Sequence, residues 1–175
     1  MIKYGFYIFI LGFIVACSEE VPEKPTPELA DSWTKINSSD LGKSIAIQEE
    51  IDIKLYLELH RDWKMTTTGS GLQYFIYEEG VGRAPKRKEV AEIEYAITLL
   101  DGTEGYKTNE NEYEEIIVDQ SDIESGLQEA LKLMNVGDRM KLIIPSHIGH
   151  GILGDMKKIP PLTTLVVDIH LLGIK

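Results

Sequence analysis

Few side chains in this sequence could do covalent or metal chemistry, and they do not assemble. His147, His150 and Asp155 fall in one Gly-rich loop, residues 145–161. Two imidazoles and a carboxylate this close suggest a metal site. Their spacing matches no standard structural zinc pattern, however, and four convergent ligands cannot be found. Cys17 is the only cysteine, so no internal disulfide can form. The other side chains of interest are apolar and aromatic, and they recur at strand and helix spacing.

The elements that would position them can be read from that spacing. Leu127, Ala130, Leu131 and Met134 fall at i, i+3, i+4 and i+7, one apolar stripe of a short helix. Gly137 follows, where a helix-ending turn is expected. Residues 139–144 alternate as a strand, with Met140, Leu142 and Ile144 on one face. The loop 145–161 leads to a last strand over 164–172, with Leu165, Val167, Ile169 and Leu171 on one face. Upstream, residues 72–78 read as a strand ending at Gly80-Val81-Gly82, and residues 85–88 as a basic turn. Residues 90–100 form a long strand with Ile93, Tyr95, Ile97 and Leu99 on one face. Glu92, Glu94 and Thr98 are on the other, toward water. Asp101-Gly102 is a turn signal. Residues 103–115 are polar and irregular, and 115–118 form a short strand. The expected class is α+β: a twisted antiparallel sheet of about five strands wrapped around one short helix.

The ordered set Gly126-Leu127-Gln128-Glu129-Ala130, Val136-Gly137-Asp138, Pro145-Ser146, Ile159-Pro160-Pro161 and Thr164-Leu165-Val166-Val167-Asp168-Ile169 resembles the FK506-binding type of peptidyl-prolyl isomerase. The resemblance extends back to about Gly71 and implies one such domain over 69–175. It also implies rotation of X-Pro bonds in polypeptide clients, without a cofactor or metal. The uncatalysed barrier is ~18–20 kcal/mol. No bond forms or breaks, so a dry pocket with a few donors that hold the twisted amide suffices.

Carried over by position, the resemblance implies pocket roles for Tyr95, Tyr106, Ile123, Leu127, Ile159 and Val167. The Glu124 N–H would bind a ligand carbonyl, and His150 would take the place of a loop tyrosine. There are three departures. Lys107 stands where the family has an aspartate, Leu127 where it often has a tryptophan, and His150 where it usually has a tyrosine. Lys107 leaves open the alternative of a non-catalytic peptide-binding or chaperone protein on the same fold. The loop 146–158 has no room for an inserted domain. The helix also resembles that of the gliding-motility-associated isomerase lipoproteins of Bacteroidetes.

The N-terminal part reads as an export apparatus. Lys3 and the apolar run 4–16 form a signal peptide (1–16), too short for a bilayer-spanning helix of ~20 residues. Ile14-Val15-Ala16-Cys17 looks like a lipobox, which implies lipidation at Cys17 and an anchor in the bacterial envelope. The outer membrane facing the periplasm is expected, and Ser18-Glu19-Glu20 leaves the cell surface open. Residues 17–40, with Pro22, Pro25 and Pro27, read as a disordered tether. Residues 41–65 read as an amphipathic helix carrying the row Ile47, Ile51, Leu55 and Leu59. It either folds onto its own domain or pairs two copies as a homodimer. The formal net charge of −11 argues against nucleic acid and anionic headgroups as partners.

Overall fold

The computed structural model describes the backbone from Pro27 onward and side chains from Asp40 onward. The signal peptide, Cys17 and the first ten residues of the expected tether lie outside the described residues. The elements in order are α1 (Pro27–Leu59), β1 (Thr66–Thr67), β2 (Gln73–Glu78), β3 (Val90–Leu99), β4 (Glu104–Lys107), β5 (Glu114–Ile117), α2 (Ser125–Leu133), β6 (Arg139–Ile144), a 3-10 turn (Ser146–Ile148) and β7 (Leu165–Ile174). Residues Leu41–Lys175 form one compact unit.

Among the described residues, all strands join one antiparallel sheet in the order β1-β2-β6-β7-β3-β4, with β5 also paired to β3. Tyr74, Leu142, Val167 and Ile97 are successive partners across four strands. Ile76, Met140, Ile169 and Tyr95 form the next such row. Because side chains alternate with period two, these rows share a face. That face closes around Leu127, Ala130, Leu131 and Met134, the stripe of α2. The α+β architecture therefore follows the expectation, with seven strands in place of about five. The two additional strands are short edge pieces. β1 is only Thr66–Thr67, and β4 arises in the stretch read as irregular, where ladder bonds to β3 override polar composition.

Close backbone approach fixes how α2 and the turns sit. A Cβ on Gly126 would lie 2.6 Å from Ile144 Cγ2, so glycine lets the first turn of α2 rest on β6. Gly137 has φ +99° and faces Gly80. Buried Asp138 locks this crossing: its carboxylate accepts from the Gly80 N–H (2.6 Å) and the Asn135 N–H (2.7 Å).

The leading helix corrects three expectations. It begins at Pro27 rather than residue 41, so residues 27–40, expected as disordered tether, are helical. Proline is tolerated there because first-turn N–H groups need no partner. It ends at Leu59 rather than 65. The chain then turns back through Trp63 N–H to His60 O (3.0 Å); Tyr56 stacks on His60, and Trp63 packs tilted against His60 and edge-on to Tyr56.

The third correction concerns the packed face. Ile53, with Tyr56 and Leu57, covers Ile143 and Val166 on the outer side of the sheet, where Trp63 and Met65 join them. Ile47, Ile51, Leu55 and Leu59 remain 46–83% exposed. A polar anchor decides the rotation. Glu49, one turn before Ile53, accepts from the Ser146 N–H (2.6 Å), the Thr164 hydroxyl (2.6 Å) and the Ser146 hydroxyl (3.1 Å). Hydrogen bonds to a charged group contribute ~1.5–3 kcal/mol each. The apolar row on the opposite side offers no comparable gain within one chain.

Candidate functional site

The sheet covers the flank of α2 but not its N-terminus. A cavity of about 780 Å³ opens there. Its floor is Leu127, in the first turn of α2, beside Ile97 of β3. Tyr95 of β3, Tyr106 of β4 and Ile123 form its walls. Glu124, His150 and Asp155 stand among its rim residues. Six of the eight positions expected in the site therefore share one cavity. Ile159 and Val167 do not line it. Val167 lies near the start of β7 between Ile97 and Leu142, and its short side chain ends in the core behind the floor. Ile159 is likewise core, but its N–H reaches the rim through Asp155.

The entry to α2 is positioned by Gln128, a largely buried side chain of the helix itself. Its carbonyl accepts from the Asp119 N–H (2.8 Å), and its amide donates to Ser121 O (3.1 Å). Asp119 has φ +60°, a left-handed conformation that this bond helps hold. The loop so fixed delivers Ile123 and Glu124 to the cavity. The helix has no side-chain cap, and the Glu124 N–H donates to no group among the described residues. Unpaired N–H groups at a helix start attract electron-rich partners.

The rim is richer in charge than the residue types of a dry pocket would suggest. Burial pushes the Tyr95 phenol up, and the neighbouring Glu114 and Glu124 carboxylates add to it. Tyr106 is also raised, first by its hydrogen bond to Asp155 and then by burial. For Asp155, burial opposes ionisation. The Tyr106 hydroxyl and the N–H groups of Ile159 and Lys157 outweigh it and hold the carboxyl well below the usual carboxylate range.

His150 lines the rim with its Nε2 buried against Glu124. Its Nε2 lies 2.8 Å from Glu124 Oε1, out of line for a good hydrogen bond, so the contact becomes a true ion pair only with a protonated imidazole. His147, His150 and Asp155 turn to three different partners: Ser70 O (2.9 Å), Glu124 and Tyr106. Lys107 is exposed and lies outside this cavity. The carboxylate beside Tyr106 comes instead from Asp155, across the cavity. Sequence reasoning considered Asp155 only as a metal ligand, because nothing local links residues 106 and 155.

An apolar floor, aromatic walls and free N–H donors at one end suit an extended peptide with a compact apolar ring at its centre. Known proteins of this shape were found by comparison. Residues 81–172 match the family model of the FKBP-type peptidyl-prolyl cis-trans isomerases. The FKBP-type peptidyl-prolyl cis-trans isomerase FkpA of Escherichia coli K12 is 35% identical over 109 residues, 62% of this chain and 40% of that protein. The outer membrane protein MIP of Legionella longbeachae is 33% identical over 106 residues, 61% of this chain and 45% of its own. The chain thus spans less than half the length of these two relatives. The crystal structure of FkpA from Escherichia coli superposes with a TM-score of 0.65 at 29% identity, covering 85% of this chain and 70% of that one. The family model spans more than half of the sequence and takes in the helix, the long strand and the cavity between them: the chain belongs to the FKBP-type peptidyl-prolyl cis-trans isomerase family.

Proposed function

We propose that this protein catalyses cis/trans isomerisation of X-Pro bonds and so assists the folding of exported or envelope polypeptides. The observation that carries this reading is the uncapped start of α2 opening beside Leu127, Tyr95 and Tyr106. The prolyl ring rests on Leu127 between the two phenols. The planar amide is more polar than the twisted one, so an apolar floor disfavours the ground state. The Glu124 N–H holds a flanking carbonyl while the amide rotates. Ile123 closes the wall, Ile159 and Val167 back the floor, and His150 shapes the rim together with Glu124. Lowering the barrier by ~4–7 kcal/mol gives about a 10³–10⁵-fold acceleration.

Micromolar protein is expected to accelerate isomerisation of a proline tetrapeptide followed by a coupled protease assay. A rate equal to buffer would leave the alternative, a non-catalytic peptide-binding or chaperone protein, which Lys107 at the family's aspartate position favours. The floor can be tested separately. Leu127→Ala should abolish most activity and destabilise the fold by ~2–5 kcal/mol, as for a buried leucine. Leu131→Ala, equally buried but remote from the cavity, should cost similar stability and leave activity per folded molecule intact. Equal loss of activity in both variants would remove Leu127 from the site.

The proposal extends to location. Residues 1–16 act as a lipoprotein signal peptide and Cys17 carries the acyl chains, in keeping with the likeness to the Bacteroidetes isomerase lipoproteins. Several chains are needed, because a single one anchors weakly. Cys17→Ser should move the protein from the membrane fraction to the soluble one, or block its processing. Unchanged fractionation would refute the anchor.

A second copy of this chain fits the exposed row of α1. Ile47, Ile51, Leu55 and Leu59 form an i±4 ridge, which interdigitates with its own twin at a crossing of about −50°. The Glu49 anchor keeps this ridge outward. Sedimentation should give a dimer mass for the wild type and a monomer mass for Ile51→Glu/Leu55→Glu. An identical mass for both would exclude the helix as the interface.

A further inference from the structure

The ladder leaves Tyr106 poorly held. β4 pairs with β3 only at Ala96–Lys107 and Thr98–Glu104, with a register shift between them, and Tyr106 falls in that shift. An aromatic wall on so short an edge strand needs another support. The loop 154–159 provides it at three points. Asp155 accepts the Tyr106 hydroxyl. The Lys158 ammonium lies 4.9 Å from the centre of the Tyr106 ring, and it also donates to Gly105 O (2.9 Å).

The carboxylate is itself immobilised. Its second oxygen accepts from the Lys157 N–H and the Ile159 N–H, both at 2.8 Å, and the Asp155 N–H donates to Ile159 O (3.1 Å). Met156, at the tip, has φ +57°, so the turn is folded tightly enough to aim the carboxylate inward.

We propose that Asp155 is a positioning residue of the isomerase site, holding Tyr106 in place from across the cavity so that its ring forms a fixed wall for the bound proline segment. Its action goes through Tyr106 and not through contact with the reacting amide. With its proton committed to Asp155, the Tyr106 oxygen is left to accept from a substrate N–H. The cation–π contact of Lys158 with the ring face completes the clamp. This inference rests on the isomerase reading for its activity arm, and a second arm is independent of it.

A double-mutant cycle tests the coupling, using Asp155→Asn, Tyr106→Phe and the double variant in the full chain. Asp155→Asn is expected to lower kcat/KM about tenfold, the scale of one charge-assisted hydrogen bond. On the Tyr106→Phe background it should lower kcat/KM no further. Equal losses on both backgrounds, or no loss in Asp155→Asn, would overturn the proposal.

The independent arm follows the Tyr106 ζ-carbon by NMR as pH rises. Removing the carboxylate should bring the Tyr106 titration down toward the ordinary tyrosine value of about 10. A titration unchanged between wild type and Asp155→Asn would refute the pairing. Should the wild type fail to accelerate isomerisation, the isomerase reading falls. The cycle is then read on affinity for the same tetrapeptide by calorimetry, with the same two outcomes.

Discussion

Everything in the domain depends on burying a nine-residue helix in the concave face of a sheet. α2 is too short to persist alone in water, where a helix below ~12–15 residues is marginal. Gly126, Leu127, Gln128, Ala130 and Leu131 are all buried, so tertiary packing supplies its stability. The sheet must curl to cover it, and curling leaves one end open. That open end is the N-terminus, the end with unpaired donors. The site is therefore a by-product of how the core is closed, with its floor made from the same stripe that holds the fold together.

A small number of polar side chains then fix what packing alone leaves loose. Asp138 ties the end of β2 to the turn before β6. Gln128 ties the entry loop to α2, and Glu49 ties α1 to the start of the 3-10 turn and of β7. Each accepts backbone N–H groups that would otherwise be orphaned, which is why a polar group in a buried place is stabilising here. Asp155 works the same way at the rim. Of the four, Gln128 and Asp155 bear on the cavity, whose wall is drawn from β3, β4, the entry to α2 and the loop that holds His150 and Asp155.

What could be read from the sequence follows this division. Elements governed by local periodicity were legible. β6 occupies residues 139–144 as expected, β3 differs by one residue at its end, and the stripe from Leu127 to Met134 is the buried face of α2. Resemblance by position placed Tyr95, Tyr106, Ile123, Glu124, Leu127 and His150 at one cavity. Elements governed by distant partners were not legible. β4 exists because β3 offers an edge, and α1 turns Ile53 inward because Glu49 finds Ser146 and Thr164 about a hundred residues away in the chain. Periodicity pointed to the longer row Ile47–Leu59, since hydrophobic spacing alone cannot tell a face used inside one chain from a face left outside. The bond between Tyr106 and Asp155 has the same character.

The sheet order has a consequence for biogenesis. β7, the last element in chain order, is the strand that joins β6 to β3: it pairs with β3 along nearly its whole length and with β6 from Leu165 to His170. Until it arrives, β1, β2 and β6 are separate from β3, β4 and β5, and each group exposes an unpaired edge. A nascent chain therefore cannot fold progressively from its N-terminus as it is made. It holds two incomplete half-sheets until the final strand inserts, a topology dominated by non-local pairing and slow closure. Under the export proposed above, that delay would keep the chain competent for translocation until β7 is made.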